Sequence, residues 1–337
     1  MEQDQGYFIW DVDPVLFTIP EFQLPVPLSI WGLVLGFILI FFAWKRWIPG
    51  DEKGRAELPE WKPWALIAGC LILGQLPFLL ISSPTIEMFG PIAPRWYGLM
   101  FASAFIFGYL LNSRLMKEGG RTHEEVDRLL IYVLIATIIG ARLGHIIFYD
   151  LSFYLRNPEL IIAIWRGGLA SHGAAIAIII AMWLYVKKTP GMTFLWLADR
   201  VVPSIAVGGM FIRIGNFFNS EILGEVSEVP WAVIFARIDM MPRHPSMLYE
   251  SLSCILVLFI LMWIYVKYDK KPPEGSLFGS FLVILFSGRF LIEFTKLHHS
   301  DFETAILLNM GQWLSIPLVL FGAWLLLKKV NWKNPGA

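Results

Sequence analysis

The segment Gly208–Gly224, which reads GGMFIRIGNFFNSEILG, carries polar side chains inside an otherwise apolar stretch. Its polar residues are Arg213, Asn216, Asn219 and Glu221. A charged side chain at the centre of a bilayer costs roughly 2.5–3.5 kcal/mol on insertion scales, so such groups normally face a polar cavity. Arg213 and Asn216 are three positions apart, which places them on one face of a helix. The segment therefore predicts either a polar binding site or an interhelical salt bridge.

The composition indicates that this segment belongs to a polytopic membrane protein. Of the 337 residues, 56% are hydrophobic and 16% are charged, and the mean hydropathy is +0.61. A water-exposed surface is not compatible with so large an apolar fraction.

The net charge is zero, and we expect no nucleic-acid partner. Cys70 and Cys254 lie in apolar runs, so we interpret them as small core residues rather than metal ligands or nucleophiles.

Runs of about 20 mostly apolar residues, the length of a membrane span, predict an all-α fold with about nine transmembrane helices. The predicted spans are roughly 28–48, 64–83, 95–116, 128–149, 172–187, 200–218, 247–266, 276–296 and 306–327. The connecting segments carry 18 Lys and Arg residues on one side and five on the other. The positive-inside rule then places the N-terminus outside and the C-terminus in the cytoplasm.

Two long connections on the outer side are predicted to form a small extracytoplasmic cap. They comprise about residues 150–171 and 219–246. The second contains the run Trp231–Phe235 (WAVIF) and ends near Pro242, a pattern typical of a short strand bounded by turns. We therefore expect irregular or β-containing structure in the cap.

With this topology, six predicted helices contribute polar residues at one depth, in the outer leaflet and its headgroup zone. These residues are Tyr97, Arg142, His145, His172, Arg213, Asn216, Glu221, Arg243, His244, Glu250, Arg289 and Glu293. Guanidinium groups suit phosphate because their forked donors match its oxygens. An imidazole can act as a general base near neutral pH, and His172 follows a glycine-rich turn that allows a substrate to come close. The set predicts chemistry on a phospholipid headgroup.

Other roles remain open at this stage. Tyr97 could be an ordinary interfacial anchor, and His145 could be a packed core residue. A lipid flippase or secondary transporter would place its polar site near the bilayer midplane rather than in the outer half. An intramembrane protease would need a Ser–His pair or paired Asp residues. Ser171 precedes His172, but adjacent residues on a helix do not face each other.

Four segments, in order along the chain, resemble motifs of the bacterial prolipoprotein diacylglyceryl transferase family. They are Trp96–Met100 (WYGLM), Trp165–Gly173 (WRGGLASHG), Arg213–Gly224 (RIGNFFNSEILG) and Arg243–Glu250 (RHPSMLYE), with a weaker fifth at Arg289–Phe294 (RFLIEF). The resemblance covers about residues 97–324. The chain departs from the family pattern at four positions. Ala174, Ile212 and Ser220 replace usual glycines, and Met247 replaces a usual glutamine.

The resemblance also implies a division of the chain. The family core usually has seven helices, whereas nine spans are predicted here. Residues 1–85 are therefore interpreted as an extension with two extra transmembrane helices. Residues 86–337 are interpreted as the seven-helix transferase core, which includes the cap segments. The implied location is the bacterial cytoplasmic (inner) membrane.

The reaction implied by the resemblance joins a phospholipid to a protein thiol. Phosphatidylglycerol would donate its diacylglyceryl group to the lipobox cysteine of a preprolipoprotein signal peptide. A thioether would form and glycerol 1-phosphate would leave, without a metal or organic cofactor. The implied catalytic residues are His172 as the base, Arg243 and Tyr97. The implied substrate-binding residues are Arg142, Arg213, Asn216, Glu221, Gly224, Glu250, Arg289 and Glu293. Glu221 and Glu250 are expected to orient the arginines.

Overall fold

The computed structural model describes residues 7–20, 22–29, 35–36, 38–40, 43, 59, 61–75, 85–89, 93–163, 167–297 and 308–332. These residues belong to two compact units. The smaller unit is formed by residues 15–95, and the larger unit is formed by residues 1–14 together with residues 96–337.

The strands are short and the helices dominate. The strands are β1 (Phe8–Trp10), β2 (Phe22–Ser29), β3 (Thr85–Phe89), β4 (Val233–Phe235) and β5 (Pro242–Arg243). The helices with described bounds are α1 (Trp61–Gln75), α2 (Trp96–Glu118), α3 (His123–Phe148), α4 (Leu151–Arg156), α5 (Ser171–Lys188), α6 (Phe194–Asn219), α7 (Ser246–Lys267), α8 (Ser276–Ile292) and α9 (Met310–Lys328). One-turn 3-10 helices lie at Pro158–Leu160 and Glu293–Thr295.

The smaller unit contains α1 and the antiparallel pair of β2 and β3. In this pair Phe22 lies opposite Phe89, and Ser29 lies opposite Thr85. Helix α1 is apolar, but its 15 residues are fewer than a span requires. The first predicted span, 28–48, lies mostly outside the described residues, and its first two residues belong to β2. Residues 76–83 of the second predicted span also lie outside them.

Six helices in the described part of the larger unit are long and apolar enough to cross a membrane. They are α2, α3, α6, α7, α8 with the turn that follows it, and α9. Each coincides with a predicted span. The predicted span at 172–187 is also helical, as α5, but this 18-residue helix is not one of the six. The structure is therefore a mostly helical, polytopic membrane protein.

Local sequence signals determine where several helices begin. Helix α3 starts with a capping box, in which the Thr122 hydroxyl accepts a hydrogen bond from the Glu125 backbone and the Glu125 carboxylate accepts one from the Thr122 backbone. The same arrangement begins α9. Helix α8 is capped from another helix, because fully buried Asp199 of α6 accepts the backbone N–H groups of Gly275 and Phe278 at 2.7 Å each.

The helices of the larger unit pack in sequence. Helix α2 packs against α6, α6 against α7, α7 against α8 and α8 against α9, while α3 packs mainly against α5. Tyr97 at the start of α2 contacts Gly215 near the end of α6, and Glu293 after α8 contacts Gly311 at the start of α9. The N-termini of α2, α7 and α9 therefore meet the C-termini of α6 and α8. We call this the polar end of the unit.

A small sheet follows α6. Strand β4 lies between β1, to which it is parallel, and β5, to which it is antiparallel. Its buried residues Val233 and Phe235 pack with Met247, Trp10 and Phe217. Met247 thus stands in an apolar cluster, which explains an apolar residue at this position. The β structure predicted within 219–246 is present. The segment 150–171 contains α4 and a 3-10 turn, and residues 164–166 lie outside the described residues.

Candidate active site

The polar residues at the end of α6 form a connected network with α7. Arg213 Nε lies 2.7 Å from Glu250 Oε2, and Arg213 Nη1 donates to Asn216 Oδ1 at 3.4 Å. Asn216 in turn donates to Glu221 Oε2 at 2.8 Å, and Asn219 donates to Glu221 Oε1 at 3.1 Å. Glu250 thus contacts Arg213 directly, and its role in orienting the arginine stays a prediction. Glu221 holds the two asparagines and reaches Arg213 only through Asn216.

Lys296 extends this network to the end of α8. Its side chain is buried, and Nζ lies 2.8 Å from Glu250 Oε1 and 2.9 Å from Glu293 Oε2. The Glu293 carboxylate packs against Gly311 of α9, where a Cβ would lie 2.5 Å from the carboxylate carbon. In the sequence, Lys296 stands out only as one of the five basic residues of the outer connections. Its spacing of three from Glu293 was the available signal.

Tyr97 of α2 packs beside the network. Its partly buried ring packs on Gly215 of α6, where a Cβ would lie 3.0 Å from Tyr97 Cδ2. The tyrosine is also within electrostatic range of Glu221 and Arg213. A larger residue at position 215 would displace the ring, so this glycine is required by the close approach of α2 and α6.

The loop after α6 is folded tightly against the start of α7. Ser220 ends α6 in a left-handed conformation with φ 55°. Gly224 donates its N–H to His244 O at 3.0 Å and pairs with Lys296 in an isolated β-bridge. A Cβ on Gly224 would lie 2.5 Å from His244 Cβ. Gly224 therefore acts through its backbone, which joins the loop to Lys296.

Arg243 lies beside this loop on β5. Its Nη2 lies 2.6 Å from Asp239 Oδ2, its Nε donates to both carboxylate oxygens, and its Nη1 donates to Gly224 O at 3.3 Å. These bonds from Arg243 lower the pKa of the Asp239 carboxyl. Sequence reasoning missed Asp239, although opposite charges four positions apart were visible. A contact of Arg243 with phosphate stays a prediction.

A second polar cluster surrounds Arg142 of α3, which is 4% exposed. Its guanidinium donates four hydrogen bonds to backbone carbonyls, namely those of Leu160, Ile161, Gly167 and Gly168, at 2.6–3.2 Å. Gly167 and Gly168 have φ values of 84° and 71°, which favour glycine. A Cβ at Gly168 would also lie 2.7 Å from the His145 ring. Arg142 thus holds the glycine-rich turn that precedes α5.

His172 is the second residue of α5 and its side chain is exposed. In the described residues its ring contacts are aromatic, with Phe148 at 5.0 Å and Tyr149 at 5.8 Å between ring centroids. Gly173 packs against Gly140 and Gly144 of α3 so closely that a Cβ would clash with their backbone. These glycines bring the start of α5 against α3 and so fix the position of His172.

Arg289 lies on α8, one helical turn before Glu293, and is partly buried. Among the described residues its guanidinium has no ion-pair or hydrogen-bond partner. Glu293, the acid four positions away, is paired with Lys296 instead. The described residues contain no group of three or more His, Cys, Asp or Glu side chains that could hold a metal ion.

These observations define a multi-pass membrane protein with a polar, arginine-containing site at one end of its helices. The family model described as prolipoprotein diacylglyceryl transferase matches residues 84–328, so the chain belongs to this family, whose members are transferases. The resemblance seen in the sequence motifs is thereby confirmed.

Curated relatives bear the name phosphatidylglycerol–prolipoprotein diacylglyceryl transferase. The protein of Tolumonas auensis is 45% identical over 246 residues, which are 73% of this chain and 95% of the relative. The protein of Chloroherpeton thalassium is 42% identical over 249 residues, covering 74% and 93% of the two chains. The protein of Bacteroides fragilis is 38% identical over 261 residues, covering 72% and 94%. The similarity therefore spans nearly the whole length of each relative.

Proposed function

We propose that the chain transfers the diacylglyceryl group of phosphatidylglycerol to the lipobox cysteine of preprolipoproteins, the first step of lipoprotein maturation. The bond between the glyceryl carbon and the phosphate oxygen breaks, and a carbon–sulfur bond forms. The thiol proton is removed, and glycerol 1-phosphate leaves. The observation that carries the proposal is the buried network around Arg213 in a chain that belongs to this transferase family.

The polar end supplies the phosphate-binding groups of the proposed reaction. The leaving phosphate gains negative charge in the transition state, and oriented guanidinium groups stabilise such charge. Arg213 is oriented by Glu250, and Arg289 has no counter-ion among the described residues. Asn216 and Tyr97 donate hydrogen bonds to the headgroup. Arg243, beside the Gly224 loop, is a further phosphate-binding group, and Glu293 contributes to substrate binding only indirectly, by holding Lys296.

His172 is the proposed base. A thiol has a pKa near 8.5, so only a few per cent is thiolate at neutral pH. The His172 ring is exposed at the start of α5, where a substrate thiol can reach it. Arg142 contributes by holding the turn before His172. No metal or organic cofactor is needed for these steps.

The proposed arrangement in the membrane has nine spans. Residues 86–337 form a seven-helix core and residues 1–85 add two helices, in agreement with a family match that begins at residue 84. The excess of Lys and Arg on one side supports an outside N-terminus and a cytoplasmic C-terminus. The segments 150–171 and 219–246 then form an extracytoplasmic cap on the bacterial inner membrane.

A reconstituted assay tests this function. Purified protein is incubated with phosphatidylglycerol and a synthetic lipobox peptide, and released glycerol 1-phosphate and the mass of the peptide are measured. The proposal predicts equal amounts of glycerol phosphate and diacylglyceryl peptide. A peptide with serine in place of cysteine is the control and should give neither product. The proposal is wrong if the folded protein binds the lipid and releases no glycerol phosphate.

A further inference from the structure

We propose that Lys296 is a positioning residue of the phosphate site, which balances two buried carboxylates so that Arg213 stays available to an anion. The inference rests on the proposed function, since the anion is the phosphate of the lipid. Lys296 is 6% exposed, and both of its charged partners are acids, Glu250 and Glu293. Because the side chain is buried, its charge acts on these carboxylates rather than on solvent.

Four charged side chains of the network are joined by direct ion pairs and sum to zero, whereas Glu221 reaches them only through Asn216. Arg213 and Lys296 are cations, and Glu250 and Glu293 are anions. Glu250 is shared, with Oε2 at 2.7 Å from Arg213 Nε and Oε1 at 2.8 Å from Lys296 Nζ. Arg213 and Lys296 thus contact different oxygens of the Glu250 carboxylate. In the described residues Arg213 Nη2 has no partner, and Nη1 has only a 3.4 Å bond to Asn216.

Removing the charge of Lys296 would leave these four directly paired side chains with one excess negative charge. Both carboxylates would then oppose a phosphate arriving at Arg213, and Glu250 would be free to bind Arg213 with both oxygens. One unbalanced charge roughly 6–12 Å from the phosphate, at an effective dielectric constant of about 20, changes lipid affinity by about 10- to 100-fold. Lys296 thus affects binding without touching the lipid.

The backbone shows that Lys296 is held in place rather than placed by chance. It forms an isolated β-bridge with Gly224, and Leu297 N donates to Leu223 O at 3.4 Å. Ser246 at the start of α7 donates to Thr295 O at 3.1 Å. The turn after α8 is therefore fixed to the loop after α6 and to α7, the two elements that carry the rest of the network.

The test is a charge-rescue experiment on phosphatidylglycerol binding. Lys296→Met should weaken lipid affinity and raise the KM for the lipid by about 10- to 100-fold, with little change in the KM for the lipobox peptide. The double variant Lys296→Met/Glu293→Gln restores neutrality and should recover most of the lipid affinity. Lys270→Met is the matched control, because Lys270 pairs with Glu118 at the other end of the helices and its side chain is 52% exposed.

The outcomes separate this inference from the proposed function. If the wild type releases no glycerol phosphate, the proposed function fails. The inference is overturned, and Lys296 is only structural, if the wild type is active and Lys296→Met binds lipid as tightly as the wild type. The same holds if the double variant binds lipid as weakly as Lys296→Met. Should only the double variant be stable enough to purify, a lipid affinity within about threefold of wild type supports the inference. A larger loss overturns it.

Discussion

Arg142 and Arg213 are both arginines of membrane helices, and both were predicted from the sequence to bind substrate, yet their surroundings differ. Arg142 is buried and gives four hydrogen bonds to backbone carbonyls of two segments, residues 160–161 and 167–168. Arg213 is paired with a carboxylate that it shares with Lys296, and with an amide at the limit of hydrogen-bond distance. The Arg142 guanidinium makes four hydrogen bonds with its five N–H donors, whereas the Arg213 guanidinium retains more of its donors.

The difference indicates what each arginine can do. A phosphate could replace the carbonyls around Arg142 only if the turn before α5 opened, and each abandoned carbonyl would cost about 1–3 kcal/mol if it stayed buried. Arg213 could bind phosphate by rotating or sharing donors, with the fold unchanged. We infer that Arg142 supports the position of His172 and that Arg213 belongs to the phosphate site. Direct contact of Arg142 with substrate stays a prediction.

The largest expected effect concerns His172, the residue that the Arg142 region positions. His172→Asn should reduce transfer at pH 7 by about 10²–10⁴-fold, the usual cost of losing a general base, while phosphatidylglycerol stays bound. The loss should be partly rescued at higher pH because a substrate thiol with pKa near 8.5 then ionises by itself. The measurement is the pH–rate profile of the variant and wild type with a short lipobox peptide. A profile that stays flat and low up to pH 9 would remove His172 as the base, and His244 would be tested next.

The next effect concerns the stability of the Arg142 region. Arg142→Ala leaves four backbone carbonyls without their donor, so the free energy of unfolding should fall by about 3 kcal/mol. Thermal unfolding in detergent measures the change. Arg156→Ala, on the exposed end of α4, is the control and should change little. An Arg142→Ala protein as stable as this control would mean that the turn does not depend on the guanidinium.

The sequence predicted the long helices well and their side-chain partners poorly. Apolar length alone located the helices at Trp96–Glu118 and Ser246–Lys267 to within a few residues, because a span must satisfy its backbone within one segment. The strand pair at Phe22–Ser29 and Thr85–Phe89 was not predicted, since its pairing joins residues far apart in the chain. The same reason hid the bond between Lys296 and Glu250. Helical spacing shows which residues share a face but not which helix lies opposite.

Departures from the family pattern were visible in the sequence, but their meaning required the structure. Ser220 replaces a usual glycine, and the structure shows why glycine is usual there. The residue ends α6 at φ 55°, a conformation that costs an L-residue roughly 1–2 kcal/mol. Its buried hydroxyl also has no hydrogen-bond partner in the described part of the chain.

The smallest expected effect follows from this strain. Ser220→Gly should raise the free energy of unfolding by about 0.5–1 kcal/mol, the relief of strain less the added freedom of glycine in the unfolded chain. Ser204→Gly is the matched control, because Ser204 also lies in α6 with an unpartnered hydroxyl but at an interior helical position. That variant should lose about 0.5–1 kcal/mol. Denaturant unfolding measures the change in the free energy of unfolding for both variants. If both variants are destabilised, backbone strain at Ser220 is unimportant.

The central claim is that Arg213, and not Arg142, belongs to the phosphate site. It is tested most directly by the equilibrium affinity for phosphatidylglycerol of Arg213→Lys and Arg142→Lys, measured beside wild type on folded protein in detergent. Lysine keeps the charge and loses the forked donors, so Arg213→Lys should bind the lipid about tenfold or more weakly with an unchanged melting temperature. Arg142→Lys should melt earlier, and its folded fraction should bind the lipid with wild-type affinity. Normal lipid affinity in Arg213→Lys, with a loss in folded Arg142→Lys, would contradict the account.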